Sequence, residues 1–342
     1  MLTHAILSAA NQAWPPFVVV AGLLLIGRAA AEDGLFDAAG ARLARSRLGA
    51  RSLLVALLGL AAAVTAVLNL DTSVVFLTPV FVLAARRRGL DERPFLYGSV
   101  FIANAASLLL PGSNLTNLLV LRSHPENGGA FAVQMLPAWL TACGITVVFV
   151  IVAFRPTEAA ARTPAQLPPI RLGFGAAAIV AAAGLVVLLP NPAVPVLAVG
   201  IAAAAGQRRP PRLDARLLAL LFAGTVSLGT LARLWSGPAR LLDSSGIWGA
   251  TGIGAAASLV VNNLPATVLL TARAPAHPEA LLLGLDIGPN LFVTGSLSAV
   301  LWLQAARGVG ARPSIATYLR LGMVLVPVTL AATLAVQALV RS

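Results

Sequence analysis

The sequence predicts an all-α, polytopic membrane protein built as two inverted repeats, each with a re-entrant hairpin and a broken transmembrane helix. Three observations carry that expectation. The chain is too apolar to be solvated by water alone, its arginines gather in short loops between apolar runs, and one order of segments occurs twice. Of 342 residues, 58% are hydrophobic and only 11% are charged, and the mean hydropathy is +0.88. A soluble domain of this size carries about 25% charged residues. So little polar surface cannot cover a soluble helical core, whereas each run of about 20 apolar residues can span a bilayer.

The net charge of +12 comes from arginine, since the chain has no lysine. Arginines in short loops between apolar runs mark membrane topology rather than a nucleic-acid-binding face. The single cysteine, Cys143, cannot form an intrachain disulfide. Neither a Gly-Lys-Ser/Thr nucleotide loop nor a cluster of metal ligands is legible, so no cofactor and no metal are expected. The start lacks a basic n-region, and the first long apolar stretch ends at Glu32-Asp33 rather than at a cleavage site, so no cleavable signal peptide is expected.

The basic clusters set the topology. Arg42, Arg45, Arg47 and Arg51 precede the run Leu53–Ala85, and Arg86, Arg87, Arg88 and Arg93 follow it. Both clusters belong on the cytoplasmic side, so the run between them crosses an even number of times. It is shorter than the roughly 40 residues that two crossings need. The expectation is a hairpin over 53–85 that dips in from the cytoplasm, with Asn69-Leu70-Asp71-Thr72 at its tip. The segment 95–121 then crosses outward, Phe131–Phe154 returns, and 155–171 is a cytoplasmic linker. Leu172–Leu189 and Ala193–Gly206 go out and back, and Leu217–Leu234 crosses outward. Ile247–Ala272 forms a second hairpin opening to the other side. The segment 280–306 crosses inward, and the last helix crosses outward, leaving both termini outside the inner membrane. Trp14, Trp139, Trp235 and Trp248 read as interfacial anchors.

Residues 1–154 and 172–342 thus repeat one series: a helix, an interfacial stretch, a hairpin with Asn at its tip, an interrupted helix and a closing helix. Opposite orientation of such repeats is a feature of secondary transporters. The interruptions fall at Pro111 and Gly112 in the first half and at Gly288, Pro289 and Gly295 in the second. Backbone freed by such breaks is tolerated at membrane depth only where it lines a cavity or packs in protein.

Asp71 and Asp286 are the acids placed near the middle of the membrane. An acid there lines a pathway, relays protons or pairs with a cation, so both are candidates for proton coupling. Asn69, Thr72, Ser113, Asn114, Thr116, Asn117, Asn262, Asn263, Thr294, Ser296 and Ser298 supply neutral donors and acceptors for a small polyhydroxylated solute or an oxyanion. With no acid–base–nucleophile constellation, a catalytic role is not expected.

At these motifs the chain resembles the arsenical pump membrane protein family of the ion transporter superfamily, which also holds sodium/proton antiporters and dicarboxylate transporters. The resemblance rests on Leu68–Pro79 (LNLDTSVVFLTP), Ile102–Asn117 (IANAASLLLPGSNLTN), Ser258–Ala266 (SLVVNNLPA) and Gly284–Leu303 (GLDIGPNLFVTGSLSAVLWL). It implies substrate held between hairpin tips and broken helices, alternating access, and export of arsenite or antimonite driven by protons or by a separate ATPase subunit. It also implies a homodimer contact through scaffold helices, which are fewer in the first half, so the fold is N-terminally shortened. The chain departs from the family at three places. Asn69-Leu70 stands where two Asn precede the tip Asp, and Asn104 and Asn290 stand where an Asp and a Lys are common. Two further readings stay open: a sodium/proton antiporter or anion/dicarboxylate transporter of the same superfamily, and an inactive paralogue or partner subunit.

Overall fold

The computed structural model describes residues 1–122, 127–157, 173–207, 215–235 and 237–341. In chain order the α-helices are α1 (Leu2–Glu32), α2 (Leu35–Arg45), α3 (Ala50–Val67), α4 (Leu70–Arg87), α5 (Arg93–Ala106), α6 (Leu115–Leu121), α7 (Gly128–Phe154), α8 (Gly175–Leu188), α9 (Ala193–Ala205), α10 (Ala215–Leu234), α11 (Gly237–Asp243), α12 (Ile247–Val261), α13 (Asn263–Leu270), α14 (Pro278–Ile287), α15 (Leu297–Gly308) and α16 (Ile315–Arg341). The described residues contain no strand. Five helices, α1, α3, α7, α10 and α16, are long and apolar enough to cross a membrane. The protein is a multi-pass helical membrane protein, as the composition requires. Most of the 155–171 linker lies outside the described residues.

Both expected helix interruptions are present. α5 ends at Ala106, a 3-10 turn occupies Pro111–Ser113, and α6 restarts at Leu115. α14 ends at Ile287, 3-10 turns occupy Gly288–Leu291 and Val293–Gly295, and α15 restarts at Leu297. Proline has no N–H to give, and its ring excludes the carbonyl four residues back.

The hairpins differ from the expected lengths. α3 and α4 each have 18 residues, about 27 Å at 1.5 Å per residue. They continue through Arg51 at one end and Arg86 and Arg87 at the other, beyond the apolar run from which the hairpin was sized. Length alone therefore does not separate a re-entrant first hairpin from two short crossings. The second hairpin is shorter. α12 and α13 have 15 and 8 residues, about 22 and 12 Å, against a hydrocarbon core of about 30 Å. α8 and α9, expected as full crossings, are helical over only 14 and 13 described residues.

The stretch after α1, expected to be interfacial, packs one face against the body. α2 lies along α4, with Phe36 stacked on Phe76 at a ring separation of 5.7 Å. The Arg88 guanidinium donates to the carbonyls of Ala44, Ser46 and Leu48. Asp33, buried where α1 turns into α2, accepts from the Gly175 N–H at 2.9 Å and from Gln207 at 3.1 Å.

Helices from before and after the linker pack together: α1 on α10, α7 on α16 and, crosswise between hairpin arms and broken helices, α4 on α15 and α6 on α13. The first two pairs run antiparallel. Near the start of α1 the Gly229 position meets Ala9, and further along Phe17 meets Phe222 edge-on at 5.4 Å. Gln337, near the end of α16, donates to the carbonyl of Gln134, near the start of α7. An aromatic cluster fixes the second broken helix from below. Tyr318 lies 5.0 Å from Phe101 and 5.5 Å from Trp302, and Trp302 donates to the Leu96 carbonyl at 2.8 Å.

In lipid, helices gain most from close backbone approach, which small residues permit. Gly22 and Gly200 face each other where α1 crosses α9: a Cβ on either would stand within 2.7 Å of the opposite backbone. Gly254 and Gly284 do the same between α12 and α14, where a Cβ on Gly284 would overlap the Thr251 carbonyl. Gly284→Val and Gly22→Val should each lower the midpoint of thermal unfolding in detergent by several degrees, an overpacking cost of about 1–3 kcal/mol. Gly144→Val is the control, since open space surrounds Gly144. Heating followed by size-exclusion chromatography reads the difference.

Candidate functional site

Four helices start inside the protein, and each start is capped by a side-chain oxygen. Asn69 Oδ1 accepts from the Thr72 N–H at 2.7 Å at the start of α4. Asn114 Oδ1 accepts from the Thr116 N–H at 3.3 Å at the start of α6. Asn262 Oδ1 accepts from the Leu264 N–H at 3.3 Å at the start of α13, and Ser296 Oγ from the Ala299 N–H at 3.4 Å at the start of α15. The first N–H groups of a helix have no partner within it, and Asn and Ser are among the residues that best supply one. Asn262 holds φ at +79°, a value few residues other than Gly and Asn tolerate.

All four capping residues line one cavity of about 470 Å³. Arg28, Asp71, Thr72, Ser113, Thr116, Thr225, Asn263 and Ser298 complete its polar part. Its apolar wall comes mainly from α1, α4, α10 and α15. Phe17, Val20, Leu24 and Arg28 form one stripe of α1, spaced by three or four residues as one helix face requires. The positive ends of the helix dipoles converge here, and their exposed N–H groups favour negative charge or lone pairs.

The predicted site residues divide. Asn69, Asp71, Thr72, Ser113, Asn114, Asn262, Asn263 and Ser296 come together around the cavity. Asp286, Asn117 and Thr294 are not among its lining residues. Asp286 is fully buried behind the wall, where its Oδ1 accepts from Asn114 Nδ2 at 2.9 Å and Thr116 Oγ1 at 2.6 Å. Asn117 donates to the carbonyls of Ser107 at 2.7 Å and Leu110 at 3.1 Å, stapling the backbone that the Pro111 break sets free. The Thr294 side chain is exposed, and its carbonyl accepts from Asn262 Nδ2 at 3.0 Å. Pro111, Gly112, Gly288, Pro289 and Gly295 sit at the interruptions. Trp139, expected as an interfacial anchor, donates instead to the Ala106 carbonyl at 3.1 Å and closes the end of α5.

Two positions that depart from the family pattern meet each other. Asn104 Nδ2 donates to Asn290 Oδ1 at 2.8 Å, and both residues are buried. A neutral amide pair thus joins the two broken helices. Thr116 and Ser298 line the cavity as the sequence suggested, whereas residue-by-residue reading passed over Arg28. Arg28 left a visible signal, as the charged residue inside the apolar run Pro16–Ala31. Among the described residues no group of three or more His, Cys, Asp or Glu side chains gathers as a metal site.

The geometry is matched by likeness to known proteins. The family model described as "Citrate transporter" (CitMHS) matches residues 2–296. An arsenical pump membrane protein of Escherichia coli is 28% identical over 96% of this chain and 87% of its own length. One from Yersinia enterocolitica is also 28% identical, with the same coverage. Among solved structures, the YdaH transporter of Alcanivorax borkumensis, described as having an unusual topology, superimposes with a TM-score of 0.57. That match covers 99% of this chain and 87% of the other at 16% identity, and it supports the fold.

Replacing Asn117 by Ala removes two donors from buried carbonyls at the break, a cost of about 1–3 kcal/mol. Asn117→Ala should therefore lower thermal stability while leaving the cavity's own side chains in place. Thermal unfolding of purified variant and parent checks it, and an unchanged midpoint would show that the staple is idle.

Proposed function

Because the chain belongs to the citrate-transporter (CitMHS) family, we propose that it is a secondary-active permease that exports arsenite or antimonite in exchange for protons. The single observation that supports this most is the meeting of both hairpin tips and both broken helices around one cavity. In this reading the solute is held by Asn69, Thr72, Ser113, Asn114, Asn262, Asn263 and Ser296. Arsenous acid is a small trihydroxylated solute, and hydroxyl and amide groups can both donate to it and accept from it. The relatives named as arsenical pumps, aligned along nearly the whole chain, favour this solute over a carboxylate.

Asp71 and Asp286 are the proposed proton carriers, with unequal roles. Asp71 lines the cavity and can exchange protons with it directly. Asp286 holds Asn114 and Thr116, so a proton on it would loosen the start of α6. The two halves act as inverted repeats in this proposal, and the antiparallel pairs α1–α10 and α7–α16 are what support it. Rocking one half against the other would expose the cavity to each side in turn, with both termini on the outer side.

A second reading is favoured by the family description and by Arg28 in the cavity wall: transport of an organic or inorganic anion. Expression in an arsenite-sensitive host separates the two. The proposal expects higher tolerance and less cell-associated arsenic. Asp286→Asn should fold, because the new amide oxygen still accepts from Asn114 and Thr116, but it should lose proton-driven efflux in everted vesicles. Unchanged tolerance and cellular arsenic with a well-expressed protein would overturn the arsenite reading. Intact proton-driven efflux by Asp286→Asn would overturn the role of Asp286.

A further inference from the structure

The cavity is closed at one end by a polar cluster that solute binding and proton exchange do not use. α6 and α13 both start at the cavity, and further along they pack against α1 and α10. Leu119 of α6 and Val268 of α13 there share with Ala9, Ala13 and Gly229 the lining of a gap of about 10 Å³. A single water needs at least that much room, so no solute passes. The plug is as thick as α13 is long, 8 residues or about 12 Å. In the other direction the cavity runs between α1 and α10, past Leu24 and Leu217, toward the arginine-rich end. At that end Arg86 donates to the Val309 carbonyl at 2.6 Å.

Gln12 spans the closed end. Its Oε1 accepts from Arg233 Nη2, and its Nε2 donates at 3.4 Å to the carbonyl of Thr271, the residue that ends α13. Arg233 also donates to Ser8 Oγ at 3.2 Å and to the Gly229 carbonyl at 2.8 Å. Arg233 and the Phe17–Phe222 contact thus make α1 and α10 one unit. Among the described residues, the Gln12 amide makes the one hydrogen bond from that unit to α13 and its cap. The Thr267 and Thr271 hydroxyls turn back onto α13 itself. Arg233 is half-buried and, among the described residues, has no acid within salt-bridge range. A cation held by neutral acceptors gives up water without the return that a carboxylate supplies, so opening the cluster rehydrates it. The Gln12–Thr271 bond is also long for an N–H···O contact. Both features suit a contact made to break.

We infer that Gln12 is the latch of this end: by bridging Arg233 and the Thr271 carbonyl it keeps the cavity closed, and α13 parting from the α1–α10 pair opens the cavity to the opposite face of the membrane. The inference rests on the reading of this cavity as the transport path and names the contact that gates it. Gly229 lets the three helices meet, since a Cβ there would lie 3.2 Å from Ala9 and 3.5 Å from Val268.

The test follows solvent access at Leu228→Cys, the last α10 position of the cavity wall before the plug, in the full-length chain carrying Cys143→Ala. Right-side-out and everted membrane vesicles are treated with a membrane-impermeant trimethylammonium methanethiosulfonate. Arg87→Cys, exposed at the end of α4, marks the arginine-rich face. With Gln12 in place, Leu228→Cys should react far faster from the arginine-rich face than from the other. Gln12→Glu keeps the side chain's length and its bond from Arg233 but has no N–H for Thr271. It should raise the rate of reaction from the opposite face about fivefold or more, the change that one ordinary hydrogen bond makes, and Gln12→Ala should do the same. Equal reaction from both faces with Gln12 in place would overturn the latch, as would an opposite-face rate that Gln12→Glu leaves unchanged. No reaction from either face would remove the reading of the cavity as a transport path, and the latch with it. Failure of the host to gain arsenite tolerance, with the Gln12-dependent change intact, would remove the arsenite reading and leave the latch standing. Unfolding midpoints confirm that each variant folds.

Discussion

Backbone N–H groups at helix starts inside an apolar body are the constraint on which this structure rests. Water would satisfy them at a surface, but here they lie between helices where an unpaired group costs several kcal/mol. The chain answers with four short polar side chains, Asn69, Asn114, Asn262 and Ser296, each turned back onto its own helix. That answer positions everything else. With these oxygens committed to capping, the cavity's further polar lining comes from Arg28, Asp71, Ser113, Asn263 and Ser298.

The two broken helices are joined by buried polar ties. Asn114 and Thr116 of the first broken helix both hold Asp286 of the second, and Asn104 holds Asn290. Around them the contact is apolar, through the aromatic cluster of Phe101, Trp302 and Tyr318 and the close helix crossings at glycine. Neutral amide pairing carries no large desolvation penalty of the kind a buried ion pair incurs. Asp286 holds two of these hydrogen bonds at a single oxygen, so separating the two broken helices would strain them together.

Much of this was legible in the amino acids. Pro111-Gly112 and Gly288-Pro289 announce the interruptions because proline cannot continue a helical ladder. Asn69 and Asn262 announce the tips because Asn is a good cap and an expensive residue in lipid. The length of the first hairpin was not legible from hydropathy, since α3 and α4 run on through arginines that an apolar count excludes. The roles of Asn117 and Trp139 were hidden for a different reason. Both close backbone carbonyls released by the break, and sequence spacing does not show which polar side chain turns inward to do so. Arg28 was visible as a charge in an apolar run, but its place in the cavity wall depends on how α1 packs against the first tip, where Gly27 meets Thr72.

The central claim is that the solute sits where the four capped helix starts meet. The most direct measurement is a structure of the full-length chain in lipid with arsenite present, with arsenic located by its anomalous scattering. The account predicts an arsenic peak in the cavity between Asn69 and Asn262, within reach of Thr72 and Arg28. An arsenic peak elsewhere in the protein, with this cavity empty under conditions that saturate transport, would contradict it.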